Sequence, residues 1–217
     1  MGWVRERGTL WTLDLSAPVA VREPAVAAAW EECGAAGELA VTMGAGAAGV
    51  ERRLRRGCRA FAARVDGRIA CYGWVSAGSE CIGELEREIR LPPGEAYVWD
   101  CFTVPAHRRL GLYASLLPHI ARALQAEGTA RLWIGTARAN RPSIRGFEAA
   151  GFVPVLEVLS ARAGSVSCLA FRPAAEAPAG LAPAALQALV RRDEAPVGPV
   201  LVGHPRPAEL PLCSGAD

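Results

Sequence analysis

The feature that most narrows what this chain can fold into is a change of hydrophobic period in its second half. Residues 96–104 read as an apolar strand rich in aromatic and β-branched residues, set off by the turn Pro92-Pro93-Gly94. After it the period moves from two to 3.6. Leu110, Leu117, Ile120, Ala121 and Leu124 fall on one helical face, and Gly128 ends the helix. Residues 132–136 read as a short buried strand and 142–150 as a helix stopped by Gly151. Residues 152–159 and 166–171 form a last strand pair around Ala163-Gly164. Strand–helix–strand–helix–strand implies a partly parallel sheet with helices on its faces.

The first half reads less sharply. Residues 9–15 alternate as a strand, and 24–33, closed by Gly34, read as a helix with Pro24 in its first turn. Residues 50–56 form a short, very basic helix. Residues 59–65 and 68–75 flank Asp66-Gly67, a strong hairpin signal. Residues 84–91 alternate charge with Leu85, Ile89 and Leu91 and read as extended. From Pro173 onward the texture changes: eight of the sixteen prolines lie there, interrupted by one helix at 184–192. We therefore divide the chain into one domain, 1–172, and a Pro/Ala-rich extension, 173–217.

Composition excludes several classes. A formal charge of +2 is too small to argue for nucleic acid or an anionic membrane. All basic residues are Arg, which reads as a coding bias. Seven cysteines, none spaced CxxC, indicate neither a disulfide framework nor a zinc site, so reduced, buried thiols are expected. The stretch after Met1 has no apolar core of a secretory signal. Glu6 stands where a myristoylation site wants Ser or Thr, and no apolar run reaches the roughly 18 residues of a membrane span. The expected setting is cytoplasmic and reducing, with no metal.

Two stretches carry chemistry. Val104-Pro105-Ala106-His107-Arg108-Arg109-Leu110-Gly111-Leu112-Tyr113 follows a strand and opens a long helix. Free backbone N–H groups at such a helix start suit a pyrophosphate, Gly111 lets the backbone approach, and Arg108 and Arg109 add charge. A plain strand-to-helix turn with two solvated arginines reads equally from this stretch alone. Asn140-Arg141-Pro142-Ser143, running on to Phe147 and Gly151-Phe152, opens the next helix. Asn140 is a good N-cap there, a complete structural reason for a lone Asn.

In order and separation the pair resembles the Gcn5-related N-acetyltransferase (GNAT) superfamily. Its acyl-CoA loop, Arg/Gln-x-x-Gly-x-Gly/Ala, is matched by Arg108 and Gly111. Its later Asn-x-x-Ala/Ser-x-x-x-Tyr-x-x-x-Gly-Phe is matched by Asn140, Ser143, Gly151 and Phe152. The resemblance covers roughly residues 55 to 160. It implies an α/β fold with a mixed sheet, the GNAT acyl-CoA N-acyltransferase fold, and acetyl-CoA or another acyl-CoA as donor. An amine of a small molecule or peptide is the implied acceptor. It also implies that the amides at Arg109, Leu110, Gly111, Leu112, Tyr113 and Ala114 hold the pyrophosphate. Strand amides at Phe102, Thr103 and Val104 would pair with the pantetheine and polarise the thioester, and Asn140 would hold the pantetheine arm, with Ser143 and Phe147 beside it. A monomer or homodimer is expected.

Three departures bear on chemistry. Tyr113 stands at the last Gly/Ala of the loop. Phe147 replaces a Tyr that often protonates the leaving thiolate, and Trp99 replaces an acidic residue often used as base. Proton transfer by a side chain is worth about 10²–10⁴-fold, whereas positioning supplies roughly 7–11 kcal/mol, so turnover survives the loss of one hydroxyl. A lysine-like amine with pKa about 10.4 is neutral in about one molecule per few thousand at pH 7, an α-amine near 7.7–8.0 roughly a tenth of the time. The expected acceptor is therefore a weakly basic amine. Glu95, Asp100 and Glu84 are the candidate bases, and Glu84, Tyr97 and Trp99 the candidate acceptor contacts. Glu95, Tyr97 and Trp99 share one strand face, and Asp100 points to the other unless a bulge intervenes.

The competing class is a GNAT-fold acyl-CoA sensor without turnover, which Trp99 and Phe147 favour. His107, His119 and His204 have no acidic partner at ligand spacing. Cys101 reads as a buried structural thiol, and Trp74 and Trp133 as core. Arg52, Arg53, Arg55 and Arg56 are most simply a solvated helix face, with an anionic substrate as the minority reading.

Overall fold

Asp66 and Gly67 both take positive φ, 49° and 76°, the left-handed pair a two-residue hairpin turn requires. They join β3 (Arg59–Val65) to β4 (Arg68–Ala77), and the rest of a large sheet grows from that hairpin. The computed structural model describes residues 4–82, 87–163, 166–189 and 202–205. Its remaining elements are β1 (Val4–Asp14), β2 (Ala29–Cys33), α1 (Gly37–Met43), α2 (Ala47–Arg55), β5 (Ser79–Ile82), β6 (Arg87–Arg90) and β7 (Glu95–Thr103). There follow α3 (Leu112–Ala126), β8 (Arg131–Ala137), α4 (Arg141–Ala149), β9 (Val153–Ala163), β10 (Val166–Pro173), α5 (Leu181–Leu189) and β11 (Val202–Pro205).

Nine strands form one sheet in the order β11-β10-β9-β1-β8-β7-β4-β3-β2. Among the described strands only β7 and β8 pair in parallel, as a strand–helix–strand connection through α3 demands. The fold is the expected mixed α/β one. On one face α3 and α4 pack over Phe61, Cys71, Val98 and Ile134, with α3 contributing Leu116 and Ile120. On the other face α1 and α2 cover β3 and β4 around Leu39, Val50 and Trp74. Further along that face, α5 and the β5–β6 pair cover β9 and β10 around Ile89, Leu156, Phe171 and Leu189.

The helix expected over 24–33 is not there. Ala29–Cys33 is instead the edge strand β2, antiparallel to β3, and the helix begins later, at Gly37. Tertiary contacts override the alanine-rich local preference. Arg64 Nε meets Glu31 at 2.9 Å, Arg59 Nη2 meets Glu32 at 2.6 Å, and Trp30 stacks on His119 of α3 at 5.2 Å between centroids. The helix expected at 184–192 is described at Leu181–Leu189, and its Ala182, Ala185, Ala188 and Leu189 are buried. Cys33, Cys58, Cys71, Cys101 and Cys168 are free thiols, whereas Cys81 is disulfide-bonded, against the expectation of reduced cysteines.

Candidate active site

The site begins where two strands stop pairing. β7 and β8 are in register from Glu95↔Arg131 to Val98↔Ile134 and no further, although β7 runs on to Thr103 and β8 to Ala137. The cause lies in β7. Opposite β4, Tyr72 pairs with Phe102 but Trp74 with Trp99, so Asp100 and Cys101 together face Gly73. Asp100 takes φ 41°, uncommon for a residue other than glycine. This is the bulge that the alternation of β7 left open. It turns Cys101 under the sheet, where a Cβ on Gly73 would lie 2.9 Å from its Sγ. Trp99 and Phe102 end on the opposite face, beside the α1–α2 cluster.

On the α3 face the fork meets a row of unused amides. After a short 3-10 turn at Pro105–His107, Arg109 and Gly111 take positive φ, 67° and 79°. The first helical bond is Ser115 N to Gly111 O at 3.1 Å. The backbone N–H groups of Arg109, Leu110, Gly111, Leu112, Tyr113 and Ala114 donate to nothing among the described residues. Six adjacent free donors at a helix N-terminus constitute an anion cradle. Arg108 and Arg109 are exposed beside it, and the Arg108 guanidinium lies 5.6 Å from the Phe102 ring. The amide of Val104 is already taken by Ala70 O at 2.9 Å.

On the other face a cavity of about 810 Å³ opens between α2 and α5. Tyr97, Trp99 and Asp100 of β7, Gly135 to Ala137 of β8 and Asn140 line its fork side. Asn140 caps α4, its Oδ1 accepting from Ser143 N at 3.3 Å. The Asp100 carboxylate is paired with Arg53 of α2. That guanidinium also lies over the rings of Trp99 and Trp74, at 4.6 and 5.1 Å. Behind Trp99 runs a buried polar chain. Trp99 Nε1 donates to Ser76 Oγ at 2.9 Å, Ser76 Oγ donates to Glu80 at 2.7 Å, and Arg56 Nη2 reaches Glu80 at 3.2 Å. Glu80 is only 4% exposed.

The structure thus brings Tyr97, Trp99, Asp100 and Asn140 together and keeps two other candidates, Glu95 and Phe147, apart. Glu95 lies at the paired end of β7, where it accepts from Trp133 Nε1 at 2.5 Å and meets Arg131 at 3.5 Å. Phe147 is buried between Trp11, Tyr113 and Phe152, in the core under α4. Glu84 lies outside the described residues. Burial pushes the Tyr113 phenol well above its usual value, with the Cys101 and Cys71 thiols adding to it, and a hydrogen bond from Ser143 opposes the shift. Its ring rests on Gly146, where a Cβ would come within 2.7 Å. Burial likewise pushes Cys101 up, a poor environment for a nucleophile. Sequence reasoning missed Arg53 and Glu80. Arg53 was counted with a solvated face, and only the i, i+3 spacing of Arg53 and Arg56 hinted that one side of α2 turns inward. Among the described residues no group of three or more His, Cys, Asp or Glu could hold a metal ion, and no helix is long and apolar enough to cross a membrane.

Residues 28–152 match the sequence model of the acetyltransferase (GNAT) family, and the chain belongs to that family. Among curated proteins none matches. A protein from Novosphingobium aromaticivorans assigned to the GNAT acetyltransferases shares the fold, with TM-score 0.50 and 21% identity over 80% of this chain and 68% of that one. A GCN5-related N-acetyltransferase from Kribbella flavida does so with TM-score 0.51 and 16% identity, over 75% of this chain and 61% of its own. A Drosophila protein follows with TM-score 0.52 and 13% identity, over 73% and 51%. The chain therefore spans from about half to two thirds of the length of these neighbours.

Proposed function

We propose that the chain is an acyl-CoA-dependent N-acyltransferase, acetyl-CoA being the simplest donor, acting on an amine of a small molecule or peptide in the cytoplasm. The observation that carries the reading is the fork itself. A long, thin donor held by the free amides at Arg109–Ala114 can pass its thioester end between the parted strands into the cavity on the far face. The residues present fit coenzyme A, whose thioester supplies an activated acyl group when bound. The amide row and Arg108 hold its phosphates, and the unpaired edge of β7 at Phe102 and Thr103 lines up its arm. Asn140 fixes that arm from α4. Residues 1–172 constitute the transferase domain of this reading, with 173–217 as an extension that adds α5 to the cavity wall.

At the reacting end Asp100 is the acid whose carboxylate faces the cavity from the fork, and it accepts the proton shed by the acceptor amine, through water, when Arg53 moves off it. Glu95, tied to Trp133 and Arg131, serves the strand and not the reaction. Tyr97 and Trp99 wall the acceptor. The reading without turnover, an acyl-CoA sensor, draws on two observations: Asp100 is neutralised by Arg53, and Phe147 offers no hydroxyl.

One experiment separates them. Thiol release from acetyl-CoA is followed against a panel of amines, beside a thermal-shift titration with CoA. Amine-dependent release that is lost in Gly111→Glu and falls in Asn140→Ala establishes the transferase. A CoA shift with no release across amines and acyl lengths establishes the sensor. No shift at all rejects the cradle.

A further inference from the structure

The charged groups of the cavity do not suit a simple cationic amine. Arg53 and Asp100 line it, the guanidinium of one in contact with the carboxylate of the other. A guanidinium and a carboxylate held side by side make a poor host for a polyamine, whose ammonium groups would meet Arg53 beside the very carboxylate they seek. They make a good host for a molecule that carries both signs itself.

Arg53 is also the best-prepared of these groups. Its guanidinium is stacked over Trp99 and Trp74. Trp99 is in turn fastened through Ser76 to the buried Glu80, whose charge Arg56, one helical turn further along α2, offsets. A guanidinium held over two indoles, with Nη1 alone bonded to Asp100 among the described residues, keeps further N–H groups to take a carboxylate. Its present partner is easy to displace. The Arg53 and Asp100 side chains are 28% and 34% exposed, and ion pairs at such exposure contribute little net stability. The structure holds Arg53 and Asp100 in contact across the mouth of the fork, so the two charges lie as close together as an amino group and a carboxylate on one carbon.

We infer that the acceptor is an amino acid, or a small molecule with an amine and a carboxylate a few bonds apart, bound by opening the Arg53–Asp100 pair. Arg53 takes the acceptor's carboxylate and Asp100 receives its amine, which faces the fork. Arg53 is a substrate-binding residue, and Arg56, Glu80 and Ser76 are positioning residues that act through Trp99. The inference rests on the transferase reading above and names the substrate class of that site.

The test uses the purified full chain with acetyl-CoA and matched acceptor pairs, each amino acid against its own carboxamide, with a polyamine alongside. The carboxamide has the less basic amine, so a larger share of it is neutral, and chemistry alone favours it. A kcat/KM at least tenfold higher for the acid therefore isolates recognition of the carboxylate. In Arg53→Gln that ratio should collapse at least tenfold, through KM for the acid, and Arg53→Lys should recover part of it. Equal use of acid and carboxamide by the wild type, or preference for the polyamine, overturns the inference while leaving the transferase standing. So does an Arg53→Gln variant that keeps the full preference. Failure of the wild type to bind CoA overturns both. The wild-type comparison decides the matter even if the variants do not fold.

Discussion

The same two strands behave in opposite ways along their length. From Glu95 to Val98 and from Arg131 to Ile134, β7 and β8 are hydrogen-bonded, and all but the first residue of each segment is buried. Beyond Val98 and Ile134 they part, every residue is at least partly exposed, and the chain carries positive φ at Asp100. The paired half has used its backbone polar groups in ladders with its neighbours. The parted half has left a strand edge, a carboxylate and one indole, Trp99, to meet something else. The candidate site here is a sheet that has been prevented from closing, and the bulge opposite Gly73 prevents it.

The comparison breaks most decisively at its closed end. Trp133 is 1% exposed and bonded to Glu95. Trp133→Ala should cost about 3–5 kcal/mol in chemical denaturation, from cavity formation and the lost hydrogen bond to Glu95. The matching truncation at half-buried Trp99, on the parted side, should cost clearly less. Equal losses would mean that the fork is packed as tightly as the closed half, and the contrast would fail.

A smaller effect tests how the open half is held. Glu80 is buried and pairs with Arg56 alone among the described basic side chains. In Arg56→Met that carboxylate stays inside without a counter-charge, and stability should fall by about 1–3 kcal/mol. The Trp99 fluorescence environment should change with it, because the indole hangs on the same chain through Ser76. A loss below about 0.5 kcal/mol would show Arg56–Glu80 to be an ordinary surface pair.

How much of this was legible in the sequence follows from what kind of interaction decides each part. Asp66-Gly67, the period change after Val104 and the Asn140 cap are local, and the hairpin, α3 and α4 appear where they were expected. The edge strand β2 is not local. Residues 29–33 become a strand because Arg59 and Arg64 of β3 hold Glu32 and Glu31, which no window around them shows. The site divides in the same way. Asp100, Trp99 and Asn140 could be named because they sit in or beside recognisable stretches. The Arg53–Asp100 pair joins residues 47 apart, and Glu80 acquires meaning only once α2 lies over β4 and β5. Conversely, Glu95 and Asp100 looked equivalent in sequence. The point at which β7 leaves β8 separates them, and that is a property of two strands together.

The smallest effect concerns β2, far from the fork. Burial, with the Arg122 charge adding to it, holds the His119 imidazole below its ordinary value, and its ring stacks on Trp30. The sign is fixed by linkage. In the unfolded chain His119 takes up its proton as pH falls through about 6.5, whereas the folded protein resists until lower pH, so the unfolded state binds more protons and stability drops on acidification. The drop begins near the unfolded value and ends once pH is below the folded one. Melting temperatures from pH 7.5 to 5.5 should therefore fall more steeply for the wild type than for His119→Gln. Identical slopes would show that the stacked ring is not kept neutral by its surroundings. If CoA binding weakened over the same interval in the wild type alone, β2 and the fork would be coupled, and the division of the sheet into a binding region and a purely structural one would have to be redrawn.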